Sequence, residues 1–150
     1  MRNFILFCLA LSLAACSGKT DADQSILNEA ATFHNEAINV QEQVEPLIDE
    51  IDSVRTVLIK KMTPEAKITA QSLDSLKTAF EQWEENLVEV PGMKHEHHHE
   101  HDKGHHHHHN SDTKDLPADQ MRDLQQAFLT NIKQIQQQTQ QAMEQAKSIQ

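Results

Sequence analysis

From Asp23 onward, apolar or small residues fall at Ile26, Ala30, Phe33, Ala37, Val40, Val44, Leu47, Ile51, Val54 and Leu58, at spacings that alternate four and three. That is a heptad seam and predicts a helix over about 23–61. Pro46 lies inside it and removes one backbone hydrogen bond. The register is the same on both sides, so the pattern predicts a kink in one long helix, with a break into two helices as the alternative. Thr63-Pro64-Glu65 then offers a cap, a proline for the first helical position and an acid for the positive end of the dipole. A second seam follows at Ala66, Thr69, Leu73, Leu76, Phe80, Trp83, Leu87 and Val90, and stops at Pro91-Gly92. A third start at Asp115-Leu116-Pro117 leads into Met121, Leu124, Phe128, Ile132, Ile135, Thr139, Ala142, Ala146 and Ile149. The predicted helices span about 64–90 and 117–149, and Trp83 reads as core.

Three such stripes can bury one another, so the expected fold is all-α: an antiparallel three-helix bundle of coiled-coil type, with a disordered histidine-rich insert over 92–115. Counting levels from the turn near Met62 brings His34 opposite Pro91. The third helix then rises from that level to end near Leu58, and residues 23–33 overhang the bundle. On this count the insert leaves the bundle at the end nearer Cys16. A break at Pro46 would undo the inference.

Ahead of the first seam, Met1-Arg2-Asn3 is a short positive start, and Phe4 to Leu13 is an apolar run too short to cross a bilayer as a helix. The run ends in Leu13-Ala14-Ala15-Cys16, which resembles the lipobox of bacterial lipoprotein precursors. That resemblance implies removal of residues 1–15, lipidation of Cys16, and a tether over 16–22 carrying a helical domain over 23–150. Ser17 in place of aspartate implies the outer membrane of the cell envelope. Cys8 leaves with the signal peptide and the Cys16 sulfur is occupied, so no disulfide or thiolate site is expected. More than one acyl chain anchors a protein without a spanning helix.

Composition narrows the class. The 150 residues hold 13 basic and 23 acidic side chains, a formal net charge of −10, which opposes a sequence-independent hold on nucleic acid. The chain has no tyrosine, one tryptophan and three glycines, which argues against an all-β fold. From Gln120 to Gln150 there are eleven glutamines. They read as a solvated helical face or as a face for an envelope protein. The long seams are equally able to pair between copies of the chain.

Of the 11 histidines, ten fall between His95 and His109: His95, His97, His98, His99, His101, His105, His106, His107, His108 and His109. No aliphatic residue lies between Met93 and Leu116, so the stretch has nothing to bury. Neutral imidazole suits zinc first, and nickel, cobalt or copper(II) after it, while Glu96, Glu100 and Asp102 could complete a mixed shell. As a strand, His95, His97, His99 and His101 share a side. As a helix, His97, His101, His105 and His109 align. Without anchoring to a core, plural exchanging sites are expected, suited to holding and passing on ions.

Two other readings stand beside this one: a low-complexity spacer, and an arm that gains positive charge below about pH 6 as imidazoles of pKa about 6.5 protonate. His34, beside Phe33, reads as a surface or boundary histidine and an auxiliary ligand at most. No nucleophile with a matched base, phosphate loop or paired buried acids is evident, so no catalysis is expected. The lipobox and the tract together resemble small helical envelope lipoproteins with histidine-rich segments. That resemblance implies a part in metal homeostasis, and the exchanging sites of the tract add the expectation of buffering near a membrane with hand-over to a transporter.

Overall fold

The computed structural model describes residues 20–93 and 116–149. These form three packed α-helices: α1, Asp21–Lys60; α2, Pro64–Asn86; and α3, Ala118–Ile149. No strand occurs among the described residues.

Each start has a local cause. Thr20 caps α1 through a reciprocal box. The Asp23 N–H donates to Thr20 Oγ1 at 3.1 Å, and the Thr20 N–H donates to Asp23 Oδ2 at 3.1 Å. Helix α1 therefore begins at Asp21, two residues before the predicted start at 23. Thr63 caps α2 by accepting from the Ala66 N–H at 3.2 Å, with Pro64 at the first helical position. The proline at position 46 does not divide α1, which runs unbroken for 40 residues, about 60 Å. Pro46 and Glu42, whose carbonyl loses its donor, are both exposed, so water can take up the vacated bond.

Contacts between helices fix their directions. Hydrogen-bonded pairs between α1 and α3 are separated by 91, 93 and 97 residues, a near-constant offset that only parallel neighbours give. Between α1 and α2 the separation shrinks from 43 for Gln41–Glu84 to 19 for Arg55–Asp74, the mark of antiparallel neighbours. The main core holds Val44, Ile51, Leu58, Leu73, Phe80, Trp83, Ile132 and Ile135. Trp83 donates from Nε1 to the Phe128 carbonyl at 3.0 Å and meets the Phe128 ring edge-on at a centroid distance of 6.3 Å.

Of the expected seam residues Val54, Leu87 and Ile149 are only partly covered, and at five further places the buried residue is the neighbour of the expected one. Leu27, His34 and Ile48 are buried in α1, where Ile26, Phe33 and Leu47 were expected, and those three are only partly covered. Gln125 and Leu129 likewise displace Leu124 and Phe128 in α3. Each displacement is one residue toward the C-terminus. A straight helix drifts about 20° per heptad against a 3.5-residue repeat, and each helix faces two partners, so the covered wedge is wider than a single seam.

Helix α2 ends at Asn86, before the expected position 90. Leu87 turns extended, with ψ 129°, and Val90 is still buried at 2% exposure. An extended chain covers about 3.3 Å per residue against 1.5 Å in a helix, so 87–90 reach farther along α1 than a helix would. Val90 thereby packs with Leu27, Ala30 and Met121 in a second, smaller core. The expected overhang of residues 23–33 is corrected on that account: Leu27 is 5% and Ala30 0% exposed. Pro91 and Gly92 make a turn closed by the Met93 N–H on the Val90 carbonyl, with Gly92 at φ 92°.

Candidate functional site

The smaller core marks the end of the bundle to which the histidine-rich segment is attached. Met93, the last described residue before that segment, and Leu116, the first after it, both pack against this core. Leu27 of α1 belongs to the same core, so the start of α1 lies at this end too. A cleft of about 330 Å³ opens there, lined by Asp23, Leu27, Pro91, Leu116 and Asp119 among others. Two carboxylates thus stand at the mouth, although Asp23 is engaged in the Thr20 cap.

About two helical turns along from the cleft residues Leu27 and Asp119 lies a buried polar pair. His34 is 2% exposed and Gln125 fully buried, with His34 Nδ1 3.1 Å from Gln125 Oε1. Gln125 Nε2 lies 2.6 Å from the Val88 carbonyl oxygen. A carbonyl can only accept, so the Gln125 amide must turn its NH2 to Val88 and its oxygen to His34. An amide oxygen also only accepts, so Nδ1 of His34 carries a proton and donates. The three groups tie α1, α3 and the extended segment 87–90 together at one level.

His34 is therefore not the surface or boundary residue its neighbourhood in the sequence suggests. It faces inward because it lies four residues from Ala30 and three from Ala37, both fully buried. Gln125 was missed for the matching reason. The pairs Leu124/Gln125 and Phe128/Leu129 both satisfy helical spacing between Met121 and Ile132, and polarity favoured the wrong member of the first pair.

The remaining candidates, Cys16, Glu96, Glu100, Asp102 and the ten histidines from His95 to His109, lie outside the described residues. Among the described residues no group of three or more His, Cys, Asp or Glu side chains could hold a metal ion. No described helix is long and apolar enough to cross a membrane. No family model, no curated protein and no solved structure matches the chain.

Proposed function

We propose that this chain is a lipid-anchored envelope protein that buffers divalent transition-metal ions, zinc foremost, through its histidine-rich segment. One observation carries the reading: ten imidazoles and three carboxylates are concentrated between His95 and His109, in a segment without aliphatic residues. Support comes from the attachment points. Met93 and Leu116 are both held against the small core at the end of the bundle where α1 begins, so the segment leaves and returns at one place.

In this reading the ligands are the ten clustered histidines, with Glu96, Glu100 and Asp102 completing mixed shells. His34 is left to the bundle, because its ring is buried and donates to Gln125. The bundle is a scaffold of coiled-coil type that holds the segment near the membrane through acylated Cys16. Protons compete with metal for the imidazole nitrogens, so uptake falls as pH drops through about 6.5.

Zinc titration calorimetry on the full chain and on a variant lacking residues 95–109 tests this. Uptake near neutral pH that disappears with the deletion and weakens by pH 5.5 is the expected result. Equal uptake by both forms removes the proposal. The exposed glutamines of α3, among them Gln126, Gln134 and Gln137, favour a second reading. In it the chain is an interaction lipoprotein that recruits an envelope protein or another copy, with the histidine segment as a spacer or pH-responsive arm. Crosslinking to a defined oligomer, unchanged by the same deletion, supports that reading instead.

A further inference from the structure

The end of the bundle opposite the histidine segment has an unusual surface. The exposed large hydrophobic residues among the described ones are Val57, Ile59, Met62 and Ile68, and all four flank the turn between α1 and α2. Met62, at the apex, is 93% exposed and Ile68 63%.

Their arrangement is a ring and not a face. Leu58 is fully buried, and Val57 and Ile59 stand about 100° to either side of it around α1. Ile68 is exposed on α2, beyond the buried Ala66. With 1.5 Å of rise per residue, Val57 and Ile68 both lie within about 6 Å, along their helix axes, of the turn.

Charge inverts at the same place. Between Val57 and Ile68 the chain carries Lys60, Lys61 and Lys67 against Glu65 alone, whereas the whole chain has 23 acidic residues to 13 basic. All three lysines are exposed.

The backbone adds an independent sign. Met62 is the one described non-glycine residue with positive φ, at 55°. It follows the C-cap Lys61, at the position where helices ordinarily place glycine or asparagine because a Cβ is strained there. The chain instead holds a long apolar side chain at that position and presents it to solvent.

We infer that this tip is a membrane-contact site that inserts end-on into an anionic lipid surface. Lys60 and Lys67 would meet headgroup phosphates while Ile59, Met62 and Ile68 enter the acyl boundary. The depth of the apolar ring matches the 5–10 Å to which interfacial apolar residues sink, and clustered lysines supply attraction to anionic lipid. A bilayer is alike in all lateral directions and so engages a ring, whereas a protein groove engages one side of a helix. The inference is independent of metal binding, and because the start of α1, the end nearer Cys16 in sequence, lies a full 40-residue helix away, the tip would meet a membrane facing the one that holds the anchor.

The test uses the full chain with Cys8→Ser and Cys16→Ser, bearing an environment-sensitive dye at Thr56→Cys near the tip or at Gln126→Cys near the other end. Vesicles are phosphatidylglycerol with phosphatidylethanolamine, or phosphatidylcholine alone. The Thr56→Cys dye should shift to the blue and be quenched by brominated lipid, with at least tenfold tighter apparent binding to the anionic vesicles. The Gln126→Cys dye should not respond. Ile59→Ser with Met62→Ser, and separately Lys60→Glu with Lys67→Glu, should each weaken the tip response at least tenfold while helical circular dichroism is unchanged. The inference is overturned if both dye positions respond alike, if neither pair of substitutions reduces the tip response, or if the tip dye responds to protein concentration without vesicles. The last result would assign the tip to self-association.

Discussion

Replacing Gln125 by methionine separates two views of the buried polar pair. Methionine is close to glutamine in length and is the residue an apolar stripe calls for, so packing alone predicts a neutral or slightly stabilising change. The hydrogen bonds predict the reverse. Without the amide, His34 Nδ1–H loses its acceptor and the Val88 carbonyl loses its 2.6 Å donor. Each buried group left without a partner costs about 1–3 kcal/mol. Val88 is partly exposed, so water offsets some of its loss, whereas His34 at 2% exposure is shielded from water. The expected net cost is about 2–4 kcal/mol, a large share of the roughly 5–15 kcal/mol that stabilises a typical domain.

Urea unfolding followed by circular dichroism at 222 nm measures it, with Gln126→Met as an exposed control expected to lie within about 0.5 kcal/mol of the parent. Amide hydrogen exchange across 87–93 should accelerate in Gln125→Met, because the segment is tied to α3 through that amide. A Gln125→Met protein as stable as the parent would refute the claim that the pair holds this end of the bundle.

Thr69 and Thr139 are buried with hydroxyls that make no hydrogen bond, so Thr69→Val and Thr139→Val should each stabilise by about 1 kcal/mol in the same unfolding assay. Met62→Gly should raise stability by about 0.5–1 kcal/mol by relieving the φ of 55°, while lowering vesicle binding, so that thermal melting and lipid quenching move in opposite senses. Lys77 has its pKa raised, chiefly by its hydrogen bond to Asp52 at 2.6 Å. A raised folded-state pKa means the contribution is complete below the ordinary lysine value and is lost as pH rises through the raised one. Lys77→Gln should therefore cost up to about 0.5 kcal/mol at pH 7, a small figure because Asp52 is well exposed, and the gap from the parent should close in strongly alkaline buffer.

The sequence alone determined the all-helical class, because three long runs with apolar spacing of three and four have one economical way to cover themselves. Helix α2 was legible in detail: Thr63, Pro64 and Glu65 mark its start, and every expected seam residue from Ala66 to Trp83 is buried. The histidines and carboxylates between 95 and 109 could be named as candidate ligands from residue type alone, and they lie outside the described residues. Tertiary structure decided which of two neighbouring residues turns inward where helical spacing allows either. It chose His34 over Phe33 and Gln125 over Leu124, because each polar group finds its partner on a different helix. It also decided that 87–90 would leave the helix and cover the start of α1, a choice that depends on Leu27, Ala30 and Met121 offering Val90 a place to pack. The conformation of Met62 belongs with these, since local sequence records a methionine while only the closed turn gives it a positive φ and carries it to the apex.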